Sequence, residues 1–198
     1  MMDKITCSIN RIMKAEERSI AKVRQTISDS SVSAIELLLK SKGKVVFTGV
    51  GKSGHIGRKL AATFSSTGTP AFFVHATEGV HGDLGMISKE DTMIFLSNSG
   101  ETNEVCALLP SIEVIGCATI AITGSENSTL ARFADVAIEL YVELEADSLN
   151  LAPSNSSTVV LSYGDALALT LAELKGFGEE QFHLFHPGGK LGEKLSQL

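Results

Sequence analysis

Three hydroxyl-bearing residues fall within the six-residue stretch Ser97-Asn98-Ser99-Gly100-Glu101-Thr102, between a predicted strand and a predicted helix. Capping a helix needs a single serine or threonine, so this stretch has more hydroxyls than a cap requires. Hydroxyls and the free N–H groups of a helix N-terminus together can surround an anion without a positive side chain. The stretch therefore predicts a binding site for a phosphate group.

A second loop of this kind is Gly49-Val50-Gly51-Lys52-Ser53-Gly54, which fits G-x-G-x-x-G between a strand and a helix. The acidic residue that a dinucleotide site needs about 20 positions later is missing, because the next predicted strand ends in Val74-His75. A Walker motif would need a glycine where Val46 stands. Both nucleotide interpretations, including an NAD-dependent dehydrogenase, are therefore disfavoured. The turn still presents backbone N–H groups and the Ser53 hydroxyl to an anion.

A repeated strand–helix alternation places these two loops. Short apolar runs predict five strands, and continuous apolar strands alternating with helices are typical of a parallel sheet covered on both faces. Ligands of such sheets bind beyond the carboxyl ends of the strands, where both loops lie. The predicted strands are residues 44–48, 71–74, 92–96, 118–122 and 136–142, with helices at 56–64, 102–115 and 128–134 between them.

Helices are also predicted on either side of this core. Apolar residues at three- and four-residue steps predict a helix over 3–27 and a second one that stops near Gly43, and a long helix over 155–175 ends at Gly176. Residues 1–43 thus form an N-terminal helical segment and residues 176–198 a C-terminal tail. We expect one α/β domain over 1–198, an αβα sandwich around a five-stranded parallel sheet.

Composition narrows the class of protein. The net charge of −6 disfavours sequence-independent nucleic-acid binding. The N-terminus lacks the apolar core of a secretory signal, and no apolar run approaches the ~20 residues of a membrane span. The spacing of Cys7, Cys106 and Cys117 matches neither a metal site nor a disulfide framework. We expect a cytoplasmic protein with free thiols and no membrane or nucleic-acid partner.

Several separated motifs together resemble one family. GVGKSG, SNSGET and LAPSNSST resemble the sugar isomerase (SIS) domain, and EGVHGDLGMI, GDALA and HPGGKLG are similar to the D-arabinose 5-phosphate isomerases within it. Two features depart from that pattern. Glu145-Ala146-Asp147-Ser148 stands where the family usually has Glu-Ala-Cys-Pro, and the sequence ends at Leu198 where many members continue into CBS modules, which predicts a form lacking them.

The resemblance implies interconversion of D-ribulose 5-phosphate and D-arabinose 5-phosphate through an enediol, supplying Kdo for lipopolysaccharide or capsule. It implies no cofactor and no metal, and a homo-oligomer, with a tetramer favoured over a dimer. Catalytic roles are implied for Lys52, His81, Glu104, Glu145 and His186, without deciding which is the proton-transferring base. Substrate contacts are implied for Gly51, Ser53, Gly68, Thr69, Ser97, Asn98, Ser99, Gly100 and Thr102.

Two alternatives remain open at this stage. An isomerase of another phosphosugar would share both loops, so only its substrates would distinguish it. A non-catalytic sugar-phosphate sensor would bind without turnover, but it would have no use for Lys52, Glu104, Glu145 and His186 together. Regulators of that kind also carry a DNA-binding segment, for which residues 1–43 are too short.

Overall fold

A computed structural model describes residues 1–187. Its centre is a sheet of five parallel strands, as the sequence predicts. The strands are β1 (Val45–Gly49), β2 (Ala71–His75), β3 (Thr92–Leu96), β4 (Ala118–Thr123) and β5 (Val136–Glu139). They lie side by side in the order β2-β1-β3-β4-β5.

The last strand is shorter than the predicted 136–142. The Leu140 N–H still donates to the Thr123 carbonyl at 2.8 Å, but β4 ends at Thr123 and offers no partner beyond it. Residues 140–142 therefore belong to the loop that follows β5.

Helices cover both faces of the sheet. They are α1 (Met2–Arg24), α2 (Asp29–Lys40), α3 (Gly51–Ser66), α4 (Ala76–Gly79), α5 (Asn103–Cys106), α6 (Leu109–Ile115), α7 (Thr129–Phe133), α8 (Asn155–Leu174) and α9 (Glu179–Phe185), with a 3₁₀ turn at Asp83–Met86. The first three helices and α8 pack on one face, and α4 to α7 pack on the other. Along β1, Val45 and Phe47 enter the first core and Val46 the second, which explains the unbroken apolar run. The predicted αβα sandwich is confirmed.

Two helix predictions need correction. The helix predicted over 102–115 is two helices, α5 and α6, and Pro110 in the first turn of α6 has no N–H with which to continue α5. Helix α2 ends at Lys40, so Gly43 does not terminate it. A Cβ on Gly43 would lie 2.6 Å from the Glu90 carbonyl oxygen, so this glycine allows two backbone segments to pack closely.

The N-terminal helix is only partly covered. Of its residues only Val23 is buried, while Met2, Ile5, Ile9 and Met13 stay exposed on its first half. No helix among residues 1–187 is long and apolar enough to cross a bilayer. The predicted His186-Pro187-Gly188-Gly189 motif extends past the described residues, which end at Pro187.

Candidate active site

The two glycine- and serine-rich loops follow β1 and β3, the neighbouring strands between which the strand order reverses. From β1 the chain crosses to β2 on one side, and from β3 it continues to β4 on the other. The loops that follow β1 and β3 therefore diverge and leave a crevice between them, the usual ligand position in an open parallel sheet.

A cavity of about 560 Å³ occupies this crevice. The loop after β1, the loop after β3 and the segment 142–160 form its walls. Seven of the residues predicted from sequence line it, namely Lys52, Ser53, Ser97, Asn98, Ser99, Thr102 and Glu145.

The first wall is the start of α3. Gly51 begins this helix with a φ of +55°, a conformation that glycine adopts at little cost. A Cβ on Gly54 would lie 3.1 Å from the Gly49 carbonyl oxygen, so a larger residue would push the helix away from β1. The first turn of a 16-residue helix, with Lys52 and Ser53 on it, thus points its N-terminus at the crevice.

The second wall is a cluster of hydroxyls after β3. The hydroxyl of Ser97, which is buried, lies 2.7 Å from the Thr102 hydroxyl and 3.5 Å from that of Ser99. The N–H of Gly100 donates to the Ser97 hydroxyl and that of Glu101 to the Ser99 hydroxyl. These hydrogen bonds keep the three hydroxyls close together, at a spacing at which each can bind an oxygen of the same phosphate group.

Glu101, which has no assigned role in the sequence prediction, ties this loop to α7. Its carboxylate accepts the Thr129 N–H at 2.7 Å, and the Leu130 N–H donates to the Gly100 carbonyl at 3.1 Å. The hydrogen bonds from Thr129 hold the pKa of Glu101 below its ordinary value. Gly100 adopts a φ of +66°, and a Cβ there would collide with Ser128.

The third wall carries Glu145, which lies in a loop after β5, although in sequence it continues the alternation Glu139, Tyr141, Glu143. Its Oε2 accepts the Ser154 N–H at 2.9 Å, the Ser154 hydroxyl at 3.1 Å and the Ser156 N–H at 3.2 Å, and its Oε1 accepts the Ser156 hydroxyl. Burial alone would raise the pKa of Glu145, but the hydrogen bonds from Ser156 and Ser154 outweigh it and lower this pKa. The carboxylate also caps the first turn of α8, because it binds N–H groups that have no partner within the helix.

Sequence reasoning missed several site residues, among them Ser154 and Ser156, which bind the Glu145 carboxylate. The LAPSNSST motif marked their segment, but nothing in a run of serines shows that two of them turn toward a glutamate nine and eleven positions earlier. Glu143 and Asn150 also line the cavity without having been predicted.

Two predicted catalytic residues do not line the cavity, although they lie, like it, beyond the carboxyl ends of the strands. His81 is exposed in the turn after α4, and Glu104 is exposed on the first turn of α5. Neither contacts the cavity within one chain.

Three further predicted residues lie at the opposite end of the strands from the cavity, where the strands begin. Helix α3 runs from the carboxyl end of β1 back to this amino end, and Gly68 and Thr69 follow it there. Thr69 accepts a hydrogen bond from Lys175 at 3.0 Å, and a Cβ on Gly68 would collide with Phe177. Burial lowers the pKa of Lys175.

His186 lies at the same opposite end of the strands. Its ring stacks on that of Phe182 at a centroid distance of 3.9 Å, and Phe182 in turn contacts Phe177. Within one chain, the structure therefore does not bring Gly68, Thr69 and His186 to the cavity that Lys52 lines.

A larger groove of about 730 Å³ lies at that opposite end, between α2 and the start of β3. Its charged residues are of both signs, Lys40, Lys42 and Lys89 against Glu36, Glu90 and Asp91. It has no cluster of hydroxyls like that of Ser97, and it lies at the amino ends of the strands. The smaller cavity is therefore the better candidate for the active site. Among residues 1–187, no three histidine, cysteine or acidic side chains are grouped closely enough to hold a metal ion.

Known proteins with this architecture match the chain closely. The SIS domain family matches residues 37–170. The arabinose 5-phosphate isomerase KdsD of Pseudomonas aeruginosa is 50% identical over 188 residues, which cover 95% of this chain and 58% of that protein. KdsD of Escherichia coli K12 is 50% identical over 184 residues, covering 93% and 56%. The chain thus spans less than three fifths of the length of these curated relatives.

A solved structure matches over nearly the whole of its own length. This protein of Escherichia coli CFT073, in complex with arabinose 5-phosphate, is 52% identical. The TM-score is 0.91 over 94% of this chain and 98% of that chain.

Proposed function

The chain belongs to the SIS domain family, and on that premise we propose that it is an aldose–ketose isomerase interconverting D-ribulose 5-phosphate and D-arabinose 5-phosphate. The observation that supports this most strongly is the cavity between the loops after β1 and β3. Three clustered hydroxyls, a helix N-terminus, a lysine and a glutamate line it. The names of the 50%-identical KdsD relatives, and the arabinose 5-phosphate bound by the E. coli CFT073 protein, agree with it.

The phosphate binds to the hydroxyls of Ser97, Ser99 and Thr102 and to the first turn of α3 with Ser53. The loop after β3 carries no positive side chain, so its affinity comes from hydrogen bonds and from the helix N-terminus. These contacts are the same in ground and transition state, and they anchor the substrate without changing during the reaction.

The chemistry requires one base and one positive charge. Starting from the aldose, the base removes the proton on C2, the C1 carbonyl becomes an enediol oxygen, and the proton returns to C1 while the O2 proton moves to O1. The carbon skeleton and the overall oxidation state do not change, so no external oxidant is needed. Glu145 lines the cavity and takes the role of base, and the Lys52 ammonium stabilises the enediolate.

The remaining predicted residues could contribute to the cavity only if a second copy of the chain brought them to it. Gly68, Thr69 and His186 form one cluster at the opposite end of the strands, and His81 and Glu104 are exposed beside the cavity. A homo-oligomer, with a tetramer favoured over a dimer, would let one copy complete the site of another and would cover the apolar residues exposed on α1. Mixing inactive Lys52→Ala with inactive His186→Ala subunits then restores activity after subunit exchange. No recovery would contradict a shared site.

The proposed setting is the cytoplasm, with the product supplying Kdo for lipopolysaccharide or capsule. The support is the resemblance to the arabinose 5-phosphate isomerases and the names of the relatives.

The deciding experiment is incubation with ribulose 5-phosphate in D₂O and identification of the aldose by NMR. Protonation of one face of C2 gives arabinose 5-phosphate, and protonation of the other face gives ribose 5-phosphate. Product stereochemistry therefore tests the substrate assignment directly, with Lys52→Ala as the matched inactive control. Turnover of a different phosphosugar alone would indicate another isomerase, and tight binding without turnover would indicate a sensor.

A further inference from the structure

The segment between Ala146 and Asn155 forms part of the cavity wall without being packed into the core. Ala146 and Asn155 are each 4% exposed, but every residue from 148 to 153 is exposed, including Leu149 at 72% and Leu151 at 75%. Asn150, Leu151 and Pro153 nevertheless line the cavity. Apolar burial therefore does not fix the position of this wall, and something else must.

The Asp147 carboxylate supplies the missing attachment. Its Oδ2 accepts the Leu149 N–H at 3.0 Å, and its Oδ1 accepts the N–H of Leu151 at 3.1 Å and that of Ala152 at 3.0 Å. The Asn150 N–H donates to the Asp147 carbonyl at 3.2 Å. One side chain thus accepts hydrogen bonds from three backbone N–H groups of the turn. Hydrogen bonds to an ionised acceptor are stronger than those to a neutral one.

The acid–base properties of Asp147 agree with this geometry. Burial by itself would raise its pKa, but the N–H groups of Ala152, Leu149 and Leu151 outweigh that effect and lower the pKa. Asp147 is therefore ionised at neutral pH, which is the state that holds the turn most firmly.

The turn is linked directly to the proposed base. Asn150 adopts a φ of +55°, a left-handed conformation that asparagine tolerates better than most residues. Its Oδ1 accepts the Glu145 N–H at 2.6 Å. The main chain of Glu145 and the cavity-lining residues Asn150 and Leu151 thus belong to one hydrogen-bonded unit with the turn that Asp147 closes.

We propose that Asp147 is a positioning residue that holds Asn150 and Leu151 against the substrate, on the part of the wall that contacts the sugar and not its phosphate. This inference rests on the proposed isomerase function. The phosphate loops after β1 and β3 share no hydrogen bond with the Asp147 turn among the described residues. Loss of the carboxylate therefore weakens recognition of the sugar and leaves phosphate binding unchanged.

The test compares Asp147→Ala, Asp147→Asn and Ser148→Ala in steady-state isomerisation. Asparagine keeps one acceptor oxygen, so it rescues part of the loss. Ser148 is exposed in the same turn, and its side chain makes no hydrogen bond within residues 1–187, so Ser148→Ala is the matched control. Competitive inhibition by inorganic phosphate probes the phosphate loops separately in each variant.

We expect KM to rise about tenfold in Asp147→Ala and about threefold in Asp147→Asn, with kcat within threefold of the wild type and the phosphate inhibition constant unchanged. Hydrogen exchange at the Leu151 and Ala152 amides should accelerate at least tenfold in Asp147→Ala. A wild-type KM in Asp147→Ala, a parallel rise in the phosphate inhibition constant, or an equal effect of Ser148→Ala would each overturn the proposal.

The exchange measurement separates this inference from the proposed function. If the wild-type protein isomerised no phosphosugar, the proposed function would fail, but faster exchange confined to residues 149–152 would still support Asp147 as the residue that holds the turn. Unchanged exchange would overturn it whatever the enzyme's activity. If Asp147→Ala does not fold, Asp147→Asn supplies the same comparison.

Discussion

Replacement of Glu145 by glutamine separates its chemical role from its structural one. The carboxylate accepts four hydrogen bonds from Ser154 and Ser156. Glutamine has nearly the same shape and keeps one acceptor oxygen, while its NH₂ group faces the Ser156 hydroxyl, which can rotate to accept. Charge assistance is lost, and because the side chain is partly exposed, water compensates in part. The free energy of unfolding should fall by about 1 kcal/mol.

The effect on turnover should be far larger than the effect on stability. A loss of about 1 kcal/mol lowers the Tm of a chain of this size by only about 2–4 °C. Removing a general base lowers kcat by about 10²–10⁴-fold. The KM should change little, because the hydroxyls of Ser97, Ser99 and Thr102 remain in place. Calorimetry and steady-state kinetics on the same preparation measure both effects.

Ser156→Ala is the matched control for this variant. It keeps the carboxylate but removes the hydroxyl that contributes most, among the hydrogen bonds, to lowering the pKa of Glu145. The pKa should therefore rise, and the acid limb of the kcat/KM profile should move to higher pH while kcat at its plateau stays near the wild-type value. A Glu145→Gln enzyme with a kcat within twofold of the wild type would refute the assignment of Glu145 as base and leave it as a helix-capping residue.

Three further predictions follow from the same structure. Ser99→Ala should raise KM about tenfold with little change in kcat, since it removes a phosphate contact present in ground and transition states; a selective loss of kcat in steady-state assays would contradict this. Gly100→Ala should destabilise by about 3 kcal/mol in chemical denaturation, because it combines a φ of +66° with a collision at Ser128, while Gly116→Ala, with a φ of +71° and no atom near its Cβ, should cost only about 1 kcal/mol; equal costs would refute the collision. Folding lowers the pKa of Glu145, so its carboxylate contributes fully to the free energy of unfolding above the unfolded-state pKa of about 4.3, and this contribution is lost as the pH falls through the folded-state pKa. In acid unfolding, Glu145→Gln should therefore lose less stability than the wild type, and identical acid profiles would be evidence against the shift.

The strands and the positions of the two glycine- and hydroxyl-rich loops were predictable because their signals are local. The three inner strands β1, β3 and β4 are short apolar runs that are buried on both faces, whereas the edge strands β2 and β5 are only partly buried. Each loop contains the glycines and hydroxyls that its own geometry needs. The residues Gly49 to Gly54 by themselves predict a turn that leads into a helix, and in the structure α3 begins there, at Gly51.

The setting of Glu145 could not be predicted in this way. In sequence it continues an alternating pattern beyond Glu139, but the neighbouring strand β4 ends at Thr123, and that limit is a property of the sheet and not of the segment itself. Its partners Ser154 and Ser156 lie across a loop. The distance between the cavity and His186 has the same kind of cause, because it depends on the length and direction of α8.

The two sides of the cavity are held by different forces, and this difference bears on how such a site can change its substrate. The side proposed to bind phosphate is anchored by Ser97, which is 3% exposed at the end of β3, a strand that is buried throughout. Substitution of Ser97 therefore disturbs the core, although Asn98 and Ser99 beside it are exposed. The side formed by residues 148–153 is exposed, and it is held by N–H groups that donate to the Asp147 carboxylate and by the Glu145 N–H, which donates to Asn150. Substitutions in that turn change the wall against the sugar at little cost to the fold. Under the proposed function, attachment of the phosphate at Ser97 is therefore constrained by folding, whereas selection among phosphosugars is free to vary in the turn that follows Glu145.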